Sequence, residues 1–276
     1  MSGAAGELGP VRATLRALPA LLRIGVSEVV AYRAEFFVWM LTTSLPLVML
    51  ALWSQVAAEA PFRGYASADF VAYYLAVLVA RNITGSWVSW HLEDEVRRGV
   101  LSMRLLRPIH PFFTFGATHL ATVPLRGLVA MPVAVVLLLS SGASALARDP
   151  AQLVWLVPAL ALGWLVSFGI LFCIGSLSFF LDRSSALVDV YFGVFAVFSG
   201  YLVPLALLPS WLGAVAAVSP FRAIIAIPVQ LVTDPSLGFW GAARLVGFQA
   251  LWAAAVLLLM SWLWRRGVRR FEAFGA

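Results

Sequence analysis

The chain of 276 residues is 62% hydrophobic and only 12% charged, and its mean hydropathy is +0.93. One aqueous core cannot bury that much apolar surface, which excludes an ordinary soluble enzyme and puts the chain in a membrane. The formal charge of +6 comes from 19 basic residues, all arginine, against 13 acidic ones. It follows from where the loops lie and is not a sign of nucleic-acid binding.

The start, MSGAAGELGP, has no basic n-region leading into an apolar h-region, so no cleavable signal is expected. Residues 1–35 form an N-terminal segment in which RALPALLRIGVSEVVAYRAEF, after Pro19, reads as a helix punctuated by Arg23, Ser27 and Arg33. That pattern suits a helix lying in the membrane interface, or else an extension of the first span. Six apolar runs then reach the roughly 20 residues needed to cross the hydrocarbon. They are Phe36 to Val56, Phe70 to Trp90, Phe115 to Leu139, Leu153 to Phe180, Ala186 to Leu208 and Phe239 to Trp264. None alternates as a barrel strand would, so the predicted fold is all-α, a six-span domain over residues 36–276.

Arg12, Arg16, Arg23, Arg33, Arg97, Arg98, Arg104, Arg107, Arg183, Arg265, Arg266, Arg269 and Arg270 fall on one side of these spans. Arg63, Arg148, Arg222 and Arg244 fall on the other. The positive-inside rule makes the first side cytoplasmic and puts both termini there.

Between spans two and three the chain reads HLEDEVRRGVLSMRLLRPIHP. Read as one helix from Leu92 to Leu106, Leu92, Val96, Val100, Met103 and Leu106 make an apolar stripe. Glu93 with Arg97 and Asp94 with Arg98 stand at i, i+4 in the favourable order. Leu101 and Leu105 sit among the charges, so this helix has a second apolar side; Pro108 and Pro111 end it. One side is expected to pack on the membrane domain, and the other is either available to a separate protein or part of a solvated loop on lipid headgroups.

Polar residues at bilayer depth are costly and usually face protein or water. Arg81 and Asn82 in span two, Arg126 in span three and Asp189 in span five meet that description. They line a translocation route or neutralise one another and a partner as structural ion pairs. Gly85, Gly163, Gly169, Gly175 and Gly193 read as close helix contacts. The single Cys173 excludes an intramolecular disulfide and a thiolate cluster.

Ahead of the last span, residues 207–236 are apolar enough to enter the bilayer. A seventh crossing would put the arginine-rich tail outside, so the segment is expected to return to the side it left. Pro209, Pro220, Pro228 and Pro235 cut it into pieces too short to span, which predicts a hairpin over 209–235. Its helices are expected at Ser210 to Val218 and Phe221 to Leu231. Phe221 and Arg222, beside the Ser219–Pro220 turn, join Arg81, Asn82 and Asp189 as path candidates.

Without a lysine the chain cannot build a P-loop, and it holds neither H-E-x-x-H nor G-x-S-x-G. His91, His110 and His119 do not fall at ligand spacing on one helix face, so no metal site is expected. A stand-alone secondary transporter and an intramembrane enzyme remain as other classes. The first lacks an inverted repeat or paired broken helices, and the second lacks paired carboxylates within the spans.

The strings YRAEFFVWMLTTSLPLVMLALW, DFVAYYLAVLVARNITGSWVSWHLEDEVRRGVLSMRLLRPIHP and SPFRAIIAIPVQLV resemble the permease subunits of ABC-2-type exporters, in a subfamily tied to drug or natural-product export. The resemblance implies a bacterial inner-membrane permease that works with two separate ABC ATPase subunits, which bind ATP and magnesium, and with a second permease, identical or homologous. No cofactor in this chain and no nucleic-acid partner are implied. The cargo would be a hydrophobic or amphipathic small molecule, or a lipid-like one. Residues 93–106 would be the coupling helix, with Leu101 and Leu105 in an ATPase pocket and Glu93, Arg97, Arg98 and Arg104 at its charged rim. Residues 209–235 would be a re-entrant pair capping the route on the outer side.

Overall fold

The computed structural model describes residues 45–107, 109–181 and 184–271, and Pro19, Ala20, Arg23 and Ser27 singly. The expected interfacial helix and the first half of span one therefore lie outside the described residues, as does Arg183. Among the described residues the chain is helical. Its one departure toward sheet is an isolated bridge from Phe62 to Tyr65, closing a turn at Gly64 with φ 86°.

Helix α1 (Leu45–Val56) leads through that turn to α2 (Ser67–Thr84). Asp69, in the first turn of α2, accepts the Ala66 backbone N–H at 2.8 Å and so fixes where the helix starts. After α2 come α3 (Val88–Arg97), the short α4 (Leu101–Leu105) and the long α5 (Pro111–Leu139). The chain continues through α6 (Pro150–Leu153), α7 (Leu156–Ser176) and α8 (Ser185–Phe198). Helix α9 (Ser210–Val218), a 3₁₀ turn (Pro220–Ala223), α10 (Ala226–Thr233) and α11 (Gly238–Val268) complete it.

Three helical stretches among the described residues are long and apolar enough to cross a membrane: Pro111–Leu139, Pro150–Phe179 and Gly238–Val268. Two expected spans are built differently. Span five, expected to run to Leu208, ends its helix α8 at Phe198, and the chain turns at Gly200, φ 81°. The Tyr73 hydroxyl donates to the Gly200 carbonyl at 2.6 Å, and a Cβ at Gly200 would stand 2.6 Å from the Tyr73 oxygen. Only glycine fits both the backbone angle and the space. Span two, expected to be continuous from Phe70 to Trp90, breaks over Gly85, Ser86 and Trp87.

Helix α7 is the axis of the bundle, with α2, α3, α10 and α11 packed on it. Phe168, Leu171 and Phe172 are fully enclosed, and Phe112 and Trp264 close rings around them at 5.4 to 5.9 Å between centroids. Glycines on α7 set these approaches. A Cβ on Gly175 would meet the Ser89 backbone at 3.1 Å, and one on Gly163 would meet the Ile224 carbonyl oxygen at 2.9 Å. Gly193, expected to be a close contact as well, has open space around it.

The connections gather at two ends. One is arginine-rich: Glu93 reaches Ser184 there, and the His110 ring, tilted, and the Phe179 ring, edge-on, pack against Trp264. At the other end the hairpin enters the bundle. Helix α9 has the predicted bounds, whereas the second arm, predicted as one helix from Phe221 to Leu231, is divided into the 3₁₀ turn and α10. Ile224, Ile225 and Ile227 are fully buried between the long helices. Gln249 of α11 donates to the Ala223 and Ala159 carbonyls at 2.7 and 3.0 Å, which clamps the arm between α7 and α11. Buried Gln152 does the same for the exit, donating to Leu231 and Asp234 carbonyls at 2.9 and 2.8 Å and accepting the Gly238 N–H at 3.1 Å. Neither glutamine is distinguished by the sequence pattern, because the carbonyls each one satisfies are distant in the chain: 79 and 82 positions for Gln152, 26 and 90 for Gln249.

Candidate functional site

The charged stretch folds as a corner, not as one helix. Gly99 takes φ 72°, a left-handed turn that ends α3 and starts α4 in a new direction. The helical phase is reset at that point. Leu92 and Val96 keep their predicted place in the core, but Val100, Met103 and Leu106, expected on the same stripe, are 49%, 70% and 87% exposed. Leu101 and Leu105, expected to reach a partner, turn inward: Leu101 is 0% exposed and Leu105 packs against the core.

Two of the expected partner-facing charges are also internal. Arg104 forms a two-pronged pair with Glu95, its Nε at 2.8 Å from one carboxylate oxygen and its Nη2 on the other. Its third arm donates to the Thr114 hydroxyl at 3.0 Å while the guanidinium lies 4.4 Å from the Phe115 ring centroid. Glu93 is buried and accepts the Ser184 hydroxyl at 2.7 Å, where the N-terminus of α8 favours its charge. Arg97 and Arg98 stay at the surface, Arg98 on Asp94 at 2.8 Å and Arg97 loosely on Glu93 at 3.9 Å. The corner therefore presents three exposed apolar side chains, Val100, Met103 and Leu106, together with the exposed Arg97, Arg98 and Arg107.

His110 anchors the far side of the corner. Its Nδ1 accepts the Phe112 N–H at 3.1 Å and caps α5. Desolvation beside the Trp264 ring, 5.4 Å away, lowers its pKa below the ordinary histidine value.

At mid-bundle, the break after α2 is filled by arginine. Arg126 of α5 is buried, donates to the Gly85 carbonyl at 2.6 Å and lies 4.2 Å from the Trp87 ring centroid. A guanidinium thus stabilises the carbonyl end of α2. Arg81 is buried with its guanidinium 4.9 Å from the Phe195 ring centroid and 5.9 Å from Phe192 and Tyr201. Asn82 donates to the Leu78 carbonyl of its own helix at 2.9 Å. Asp189 does not share this site: it is exposed on the open face of α8, on the same stretch as Val190 and Gly193. His119 is buried, 4.7 Å from the Trp87 ring and 6.1 Å from His91 on another helix. Among the described residues no group of three or more His, Cys, Asp or Glu side chains is placed to hold a metal.

At the hairpin end a cavity of about 690 Å³ opens between the start of α2 and the hairpin. Arg222 lines it, as do Tyr65, Asp69, Gln230 and Asp234. Phe221 instead packs on Tyr191, 5.7 Å between ring centroids. The five path candidates are therefore not one site: Arg81 and Asn82 are at the break, Asp189 on the outer face of α8, Phe221 in the core and Arg222 in the cavity. The chemistry that sequence reasoning missed, Asp69 and Asp234, carried no local signal beyond helix-capping and turn patterns.

A search among curated proteins returned no match. The family profile described as ABC-2 family transporter protein matches residues 29–275, which takes in the corner, the broken span, the cavity and every long helix. The chain belongs to the ABC-2 family of transporter membrane proteins.

Proposed function

We propose that this chain is the permease subunit of an ATP-driven exporter in a bacterial inner membrane, with both termini and the arginine-rich corner in the cytoplasm. It works as a pair with a second permease, identical or homologous, and two ABC ATPase subunits bind the ATP and magnesium. The cargo is a hydrophobic or amphipathic small molecule, drawn from the cytoplasm or inner leaflet and released past the hairpin. The observation that carries this reading is the corner: three exposed apolar side chains with arginines beside them, braced internally by Glu95–Arg104 and tied to the bundle through Arg104–Thr114 and Glu93–Ser184.

An apolar patch with basic residues beside it fits a groove with acidic walls on a soluble partner. Motion of that partner is passed on directly, because Glu93 ties α3 to the start of α8. The absence of lysine supports the division of labour, since this chain has no P-loop with which to hydrolyse ATP. The test is a double substitution at the patch, Met103→Asp with Leu106→Asp. It should abolish co-purification of an ATPase and ATP-dependent export while the permease stays inserted. Normal assembly and export by the double variant would remove the coupling role from this corner.

A further inference from the structure

The cavity at the hairpin end has a composition that selects a ligand. Its volume of about 690 Å³ lies within the range of small-molecule sites, about 300–1,000 Å³. Its lining includes the apolar side chains of Leu205 and Leu208. It also includes Asp69, from the first turn of α2, and Asp234, from the end of α10.

The charges do not cancel inside the cavity. Gln230 stands between Arg222 and Asp234, accepting from Arg222 at 3.3 Å and donating to Asp234 at 3.4 Å. The ion pairs found among the described residues are all at the arginine-rich corner and include neither aspartate nor Arg222. Two carboxylates and one guanidinium line the cavity, which leaves one negative charge there; Asp69 also accepts the Ala66 N–H and Asp234 the Ser236 N–H and hydroxyl, neutral donors that leave that charge in place. Charge in such a setting is only partly compensated by solvent and attracts a cation strongly. Tyr65 marks where the two carboxylate fields meet: burial first, then Asp69 and Asp234, push its hydroxyl pKa up. Tyr65 lines the cavity and its ring is stacked on Phe70 at 5.4 Å, which adds an aromatic group of the kind that attracts cations.

We propose that this cavity binds an amphipathic organic cation, its charged nitrogen held by Asp69 and Asp234 beside the Tyr65 ring and its apolar body on Leu205 and Leu208. That the cation is cargo on its way out rests on the exporter reading; the binding itself does not.

The experiment uses the full chain in phosphatidylglycerol nanodiscs, with rhodamine 6G as the cationic probe and fluorescein as an anionic dye of related scaffold, read by fluorescence anisotropy. Above the binding to empty discs of the same lipid, rhodamine 6G should bind and fluorescein should not. Asp69→Asn and Asp234→Asn should each weaken rhodamine 6G about tenfold, the loss of one partly desolvated ion pair. The Asp69→Asn side chain keeps an amide oxygen for the Ala66 N–H, so the helix start survives. Leu208→Arg, which leaves that cap untouched, should abolish binding by placing a cation in the cavity. Phosphatidylcholine headgroups carry the same ammonium chemistry. Only the binding that the Leu208→Arg variant lacks reports the cavity: if that part weakens in phosphatidylcholine discs the cavity is assigned to a lipid headgroup, and if it is unchanged, to a freely diffusing cation. Equal binding of the two dyes, or an unchanged Kd in the Asp69→Asn/Asp234→Asn double variant and in Leu208→Arg, overturns the proposal. If a permease–ATPase complex hydrolyses ATP while the dye ignores those substitutions, the cation site falls and the exporter stands. If the dye obeys them and no ATPase ever assembles, the site stands and the exporter falls.

Discussion

Single side chains decide the shape of the arginine-rich corner. Arg104 satisfies Glu95, Thr114 and the Phe115 face together, which a planar five-donor guanidinium can do and an ammonium cannot. Arg104→Lys is therefore expected to cost about 1–2 kcal/mol and to loosen α4. The chain carries its own reporter: Cys173 is the single cysteine and is buried, so a thiol-reactive fluorogenic maleimide signals unfolding. The Arg104→Lys variant should label at a lower temperature than wild type; an unshifted melt would mean the two-pronged pair contributes nothing. His110 makes a second expectation, this one in pH. Its pKa is depressed in the fold, so the neutral ring is favoured and the associated stability is present above the unfolded value, about 6.5. That stability is lost as pH falls from there through the folded pKa, where a protonated Nδ1 also ceases to accept the Phe112 N–H. Labelling of Cys173 should shift to lower temperature between about pH 7 and pH 5, and His110→Asn, which keeps a capping oxygen, should flatten that component.

At the scale of elements, close approach is the governing term. Gly163 faces the carbonyls of Ile224 and Ala223, which are backbone and cannot rotate away. Gly163→Ala is expected to destabilise by about 1–3 kcal/mol by prising the hairpin from α7. Gly193→Ala, in open space on α8, should leave the melt within about 0.5 kcal/mol of wild type or raise it slightly. Equal effects at the two positions would show that the hairpin is not seated against α7. The same contrast explains what is legible in the chain and what is not. The long apolar helices are composition written along a line, and α9 begins one residue after Pro209 and ends at Val218, one residue before Ser219–Pro220, because proline position is local information. The corner departs from its single-helix pattern because Gly99, one residue in a left-handed turn, shifts the phase of everything after it and exchanges the buried and exposed leucines. The break at Gly85 is equally hidden, since the partner that makes it tolerable, Arg126, is 41 residues away. Gly200 ends span five early for a reason that lies in Tyr73, 127 residues distant.

For the whole molecule, the three features belong to one arrangement along the chain's long helices. The corner lies at one end, the cation-selective cavity at the other, and a broken helix stiffened by buried arginines runs between them. Asp189, Val190 and Gly193 leave an exposed stretch on α8, the element to which Glu93 ties the corner. In the exporter reading that stretch is where a second permease packs, and an Asp189→Arg substitution should weaken permease pairing without lowering the melt of the isolated chain. The central claim is that the corner docks a separate ATPase through Val100, Met103 and Leu106. It is tested most directly by affinity purification of the chain from native membranes, wild type beside Met103→Asp/Leu106→Asp. The co-purifying proteins are then identified, and ATP hydrolysis is measured. The account predicts a P-loop protein and ATP hydrolysis with the wild type, neither with the double variant, and protected Cys173 in both. An ATPase retained in equal amount by a folded double variant, or no ATPase with the wild type, would contradict it.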